Sequence, residues 1–227
     1  MLTAMTLAVA LSTTAASPDI SALHPELRAF ADARLEEFGQ IPKERKRALT
    51  KVALWVRTQI ASGQTPKLVF ICTHNSRRSH ISQLWAQTAA AIFGLEGVET
   101  FSGGTEATAF NPRAVAAMRR AGFEIEAETG KANPVYRVSY GPSAPRMEAF
   151  SKTYRNAPNP RSGFAAIMTC SQADKNCPTV EGAAFRVAVP YEDPKAFDGT
   201  SKEREAYDER VAQISRELLF VFSKAKS

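Results

Sequence analysis

The 227-residue chain contains only three cysteines and three histidines. So few thiols exclude a disulfide-stapled scaffold. Cys170 and Cys177 are separated by six residues, not the short spacing of a zinc knuckle, and His24, His74 and His80 form no ligand cluster with them. No bound metal or cofactor is therefore expected. Long hydrophobic runs are missing too: the apolar stretch from Met1 to Ala16 is too short to span a bilayer, and no later segment is a candidate, so no membrane partner is expected. A strong charge of one sign is also absent, with 29 Lys and Arg against 23 Asp and Glu, a formal net charge of +6. The one dense basic cluster, Lys43, Arg45, Lys46, Arg47 and Lys51, has no interleaved aromatics and belongs to no nucleic-acid module. It reads as the solvated face of a helix. With 44% hydrophobic and 23% charged residues the composition is that of a soluble globular protein, long enough for one well-cored domain and an accessory segment.

Residues 1–17 read either as an export signal or as an over-extended start. Ala15-Ala16-Ser17 fits a cleavage site, but no Lys or Arg precedes Arg28, so the basic n-region is missing. Residues 18–64 form an N-terminal helical segment. Pro25 and Pro42 suit first turns, Leu49, Val52, Val56 and Ile60 recur at helical spacing, and Gly63 suits a C-cap. This segment is expected to pack as a helical hairpin on the main domain, residues 65–227. There, the runs 68–71, 98–101, 164–169 and 185–189 read as strands. Helices follow from Ser79, from Pro112 and from near Ser201. Strands alternating with helices indicate an α/β fold, a parallel sheet covered on both faces. Residues 130–163 break the rhythm with five prolines and read as an insertion. Within it 135–140 alternates like a strand, and 147–154 suggests a short helix.

The chemistry concentrates in Cys72-Thr73-His74-Asn75-Ser76-Arg77-Arg78-Ser79, set between a buried strand and a helix. A free thiol of pKa about 8.5 is only about 3% thiolate at neutral pH. Bringing a thiol to about 6 takes roughly 3.4 kcal/mol. A helix N-terminus supplies at most about 2 kcal/mol, leaving a remainder for Arg78 and the Ser79 hydroxyl. The same unpaired N–H groups cradle a tetrahedral anion, and Arg78 is the natural bidentate clamp. Asn75 tolerates left-handed backbone and would hold the loop in shape. His74 and Arg77 are expected to face outward.

A cysteine with asparagine three residues on, arginine six on and serine seven on resembles the loop of the low-molecular-weight protein tyrosine phosphatase superfamily, which includes the thioredoxin-coupled arsenate reductases. The resemblance covers about residues 67–222, with the insertion unmatched. It implies a three-layer α/β/α fold with a four-stranded parallel sheet. It also implies a general acid in the Asp193-Pro194 pair after the last strand. Cys170 to Pro178 is similar to the redox segment of the reductases. That likeness implies a cascade in which Cys72 attacks arsenate, Cys170 attacks Cys72, and Cys177 attacks Cys170, leaving a disulfide for thioredoxin. Lys195 and Ala196 follow the Asp-Pro pair where phosphotyrosine phosphatases usually carry tyrosine; Tyr136, Tyr140 or Tyr154 would have to supply an aromatic wall. Gln83 stands where some reductases place an acidic potassium ligand, so no cation is expected there.

Three readings remain open. The first is an arsenate reductase working through Cys72, Cys170 and Cys177, with Arg78, Ser79 and Asp193 assisting and residues Thr73 to Ser79 binding the oxyanion. The second is a phosphomonoesterase with Cys72 as nucleophile and Asp193 as acid. The third is a non-catalytic oxyanion-binding or redox-sensing module. A thioredoxin partner fits the cytoplasm, where thiols stay reduced; a working signal at residues 1–16 would instead mean export.

Overall fold

A computed structural model describes residues 18–227; the signal-or-start question lies outside them. Four strands, β1 (Lys67–Cys72), β2 (Glu99–Gly104), β6 (Phe164–Met168) and β7 (Ala183–Ala188), pair in parallel in the order β2-β1-β6-β7. These are the four strands expected from the sequence. They were legible because β1 and β6 are apolar on both faces, as strands covered on both sides must be.

Alternation along β1 separates two cores. Leu68 and Phe70 enter the larger one, beneath α1 (Pro25–Leu35), α2 (Lys43–Ala61), α3 (Arg78–Ile92), α4 (Pro112–Arg120) and α6 (Glu203–Lys226). Val69, Ile71 and Cys72 enter the smaller one with Ala166, Met168, Cys170 and Ala173 of the short α5 (Ser171–Asn176). The sheet is thus flanked by helices on both faces. Long α6 is the spine of the larger layer: α1, α2, α3 and α4 all lie against it. No helix among the described residues is long and apolar enough to cross a membrane.

Within the basic cluster on α2, Lys43, Arg47 and Lys51 are exposed as expected of a solvated face, but one member departs from it. Arg45 turns inward, its Nε 2.9 Å from Glu217 Oε2 on α6 and its guanidinium 4.6 Å above the Tyr191 ring. A buried glutamate facing α2 is what draws it in, because a buried carboxylate needs a partner. The N-terminal helices are thereby tied to the segment that follows β7.

The insertion also differs from the expectation. Antiparallel strands β3 (Glu124–Ala127), β4 (Tyr136–Ser139) and β5 (Met147–Ala149) form a second, three-stranded sheet. The alternation at 135–140 is β4, as expected. The suggested helix at 147–154 is β5 followed by irregular chain. Met147, Glu148 and Ala149 run half-buried, exposed and buried, a period of two that pairs with β4.

Candidate active site

Cys72 ends β1, and the chain turns through residues 73–77 into α3. The turn is fixed by its own backbone. The Thr73 carbonyl accepts from Glu106 N–H at 2.8 Å, and the Ser76 carbonyl from Asn111 N–H at 2.8 Å. The His74 carbonyl accepts from the hydroxyls of Thr108 at 3.0 Å and Ser151 at 3.1 Å. Asn75 has φ 43°, the one positive φ at a non-glycine residue among those described, the left-handed conformation asparagine tolerates. Gly104, at the end of β2, lets that strand close on the loop. A Cβ there would stand 2.7 Å from the Thr73 carbonyl oxygen and 2.8 Å from Asn75 N.

Asn75 is fully buried and holds two elements together. Its Nδ2 donates to Ser79 Oγ at 2.9 Å, and its Oδ1 accepts from Lys152 N–H at 2.9 Å. Ser79 Oγ lies 3.1 Å from Cys72 Sγ. Since Asn75 already donates to that oxygen, the Ser79 proton is free to point at sulfur, the direction that stabilises a thiolate. At the start of α3, Arg77 offers no side-chain cap, so the first N–H groups face the loop without a side-chain acceptor. That is the cradle geometry that binds oxyanions.

Arg77 departs from the outward orientation expected of it. Its Nε donates to Asp193 Oδ1 at 2.9 Å, while an Arg78 terminal nitrogen donates to Asp193 Oδ2 at 2.7 Å and the other to the Tyr191 carbonyl at 2.9 Å. The partner lies 116 positions away in sequence, so no local pattern announces it. Partial burial pushes the Asp193 pKa up, but the charges of Arg78 and Arg77, with hydrogen bonds from Lys195 N–H and Arg77, outweigh it. The carboxyl is held below its ordinary value. His74 does face outward, 3.7 Å from Glu106.

The two downstream cysteines sit beside the loop. Thr169 N–H donates to the Ile71 carbonyl at 2.7 Å, which sets Cys170 next to the carboxyl end of β1. Cys170 is the N-cap of α5, its sulfur accepting from Ala173 N–H at 3.3 Å and lying 3.5 Å from Thr73 Oγ1. Cys177 ends α5 and packs, partly exposed, against the same small core that contains Cys72 and Cys170. All three thiols are free. Arg186 of β7 pins α5 in place by donating to the Cys177 carbonyl at 3.1 Å and to Asp174 Oδ1 at 2.6 Å.

The three tyrosines named as candidates for an aromatic wall fall in different cores. Tyr154 packs with Cys72 and Cys170, while Tyr136 and Tyr140 lie in the larger core. Lys152 was missed. It is buried beside the loop with no carboxylate partner among the described residues, and burial brings its pKa down to about 8. Nothing in its sequence neighbourhood marks it. His80 was also passed over. It is fully buried, bonded through Nδ1 to Ser102 Oγ at 3.1 Å and stacked on Phe110. Burial, then the charge of Lys152, holds its pKa well below the ordinary value.

Residues 67–137 match the family model described as low molecular weight phosphotyrosine protein phosphatase. An arsenate reductase of Bacillus licheniformis is 28% identical over 145 residues, 63% of this chain and 85% of that protein. One of Bacillus subtilis is 28% identical over 144 residues, with the same coverage of 63% and 85%. A low molecular weight phosphotyrosine phosphatase of Vibrio cholerae aligns in structure over 68% of this chain and 93% of that chain, at 12% identity and a TM-score of 0.45.

Proposed function

We propose, from its match to the low molecular weight phosphotyrosine protein phosphatase family model over residues 67–137 and its likeness to arsenate reductases, that this chain is a thiol-dependent oxyanion enzyme that reduces arsenate to arsenite. The observation that carries the reading is the graded thiol set. Cys72 lies in the oxyanion loop, Cys170 is buried next to that loop, and Cys177 is partly exposed at the end of a one-and-a-half-turn helix. A hydrolase needs only the first.

In this reading the loop N–H groups and Arg78 bind arsenate, which enters by displacing the Asp193 carboxylate from Arg78. The Cys72 thiolate attacks arsenic, a hydroxyl leaves as water or hydroxide, and a sulfur–arsenic bond forms. Asp193 can donate a proton to that leaving group when it is protonated, but the hydroxyl protons of arsenate itself suffice. The Cys170 thiolate then attacks Cys72 sulfur. The sulfur–arsenic bond breaks, its electron pair stays on arsenic, and As(V) departs as As(III) while the two sulfurs become a disulfide. Cys177 attacks Cys170 sulfur and frees the Cys72 thiolate. An external dithiol, thioredoxin by the family resemblance, reduces the remaining bond.

The last exchange requires α5 to unwind. Seven residues of helix place Cys170 and Cys177 Cα atoms roughly 10 Å apart. A disulfide needs about 4.4–6.8 Å. At six residues, with a cysteine as its N-cap, α5 is among the easiest elements of the fold to melt. Such a cycle belongs in a reducing compartment.

The second reading is phosphomonoester hydrolysis, favoured by the complete loop and Asp193. The test is Cys170→Ser assayed over many turnovers with thioredoxin, its reductase and NADPH. Arsenate reduction should stop after at most one thiol–arsenic adduct per chain, while aryl phosphate hydrolysis stays within about twofold. Unimpaired arsenate turnover in that variant sinks the reductase reading.

A further inference from the structure

Resting on that reading, we infer that Arg77 sets the substrate specificity of the site: by clamping Asp193 from the side opposite Arg78, it withholds the proton donor that ester hydrolysis needs and arsenate reduction can do without. Two guanidinium groups each take one oxygen of the same carboxylate, at 2.9 Å and 2.7 Å. Arg78 must release Asp193 when an oxyanion claims it. Arg77 need not. It is the residue just before α3, and its Nε bonds Oδ1, the carboxylate oxygen that Arg78 does not hold. Asp193 therefore keeps one cation when substrate is bound.

The chemistry of the two substrates differs at this point. When Cys72 attacks an aryl or alkyl phosphate, the leaving oxygen carries no proton and must take one from an acid. An ionised Asp193 has none to give. Arsenate carries its own hydroxyl protons, so its leaving group departs as hydroxide or water with a proton moved between its own oxygens. Holding Asp193 as a carboxylate thus slows the ester far more than it slows arsenate.

Beside the two guanidinium groups, the Lys195 N–H donates to the same carboxylate, to Oδ1 at 3.1 Å. From α6, Tyr207 lies in the field of Asp193 and Asp198, and Arg210 lies in that of Glu192 and Arg78. Tyr207 also donates to Asp198 at 2.8 Å, so it stays protonated. Removing Arg77 leaves these unchanged and takes away the one guanidinium on Asp193 that a bound oxyanion does not claim.

The test is the pH profile of aryl phosphate hydrolysis for Arg77→Met, Arg77→Lys and Arg77→Met/Asp193→Asn, with arsenate reduction measured alongside. Losing one adjacent cation raises a carboxyl pKa by about one unit or more. The limb on which activity falls with rising pH should therefore move up by about one unit in Arg77→Met, and hydrolysis at a fixed pH on that limb should rise about tenfold. Arsenate reduction should change by a smaller factor than hydrolysis does. Arg77→Lys should move the limb back toward the wild type, and the double variant should lose the gain. An unmoved limb, or an equal change in both activities, overturns the inference. If the limb moves but no variant reduces arsenate, the specificity role of Arg77 toward esters stands and the reductase reading fails. If arsenate is reduced and the limb stays, the reverse holds. Arg77→Gln, with the fold checked by circular dichroism, replaces Arg77→Met should that variant not fold.

Discussion

Replacing Lys152 with methionine should stabilise the protein at neutral pH. Lys152 Nζ is buried, and among the described residues its partners are the Phe150 carbonyl at 3.3 Å and the Phe150 ring 4.5 Å away. Burial lowers its pKa from 10.5 to about 8. The unfolded chain keeps the proton up to about pH 10.4. Between about 8 and 10.4 the unfolded state therefore binds more protons than the folded one, and stability rises with pH across that window. Below 8 both states are protonated and the full penalty of the buried charge applies, on the order of 3 kcal/mol. Methionine has a similar volume and no charge, so most of that penalty should vanish, less the lost contact with Phe150. The Lys152 backbone N–H to Asn75 is unaffected, so the loop keeps its brace. Urea unfolding of both proteins at pH 7 and pH 10 reads the effect. The variant should be about 1–3 kcal/mol more stable at pH 7, and the gap should narrow as pH rises through 8. A gap that does not depend on pH, or a variant less stable at both, refutes the reasoning.

Ser79→Ala removes the hydroxyl 3.1 Å from Cys72 Sγ; a hydrogen bond to a charged acceptor contributes about 1.5–3 kcal/mol, so alkylation of Cys72 at neutral pH and the first chemical step on either substrate should slow by about 10- to 100-fold. Stopped-flow and iodoacetamide labelling check this, and an unchanged alkylation rate would count against a Ser79–thiolate bond. Gly104→Ala drives a methyl group into the Thr73, Asn75 and Glu106 backbone, none of which can yield as a side chain would. It should cost about 1–3 kcal/mol or more and abolish turnover, whereas Gly39→Ala, with nothing near the added carbon, should leave both within error.

The parts of this fold that could be read from sequence are those with local causes. Residues 68–71 are apolar on both faces, so β1 had to be a covered strand, and Asn75 had to be the residue at the left-handed turn. The oxyanion loop was legible because all its chemistry lies within eight residues. The rest depends on partners far along the chain. Arg77 turns inward for a carboxylate 116 residues on, and Arg45 for one 172 residues on, and neither arginine differs from its exposed neighbours in composition. Of the second sheet only β4 was legible, from its alternation; β3 and β5 are four and three residues long, too short for period two to stand out against helix. Burial of Lys152 follows from the insertion folding back on Asn75, which no pattern in residues 130–163 foretells.

The central claim is that Cys72, Cys170 and Cys177 act as one device. Its most direct test is a single turnover. Fully reduced protein is mixed with excess arsenate and no reductant, quenched with an alkylating agent, and mapped by peptide mass spectrometry. The account predicts one arsenite per chain, a Cys170–Cys177 disulfide and an alkylated Cys72. Three alkylated thiols and no arsenite, from protein that still hydrolyses an aryl phosphate, would contradict it.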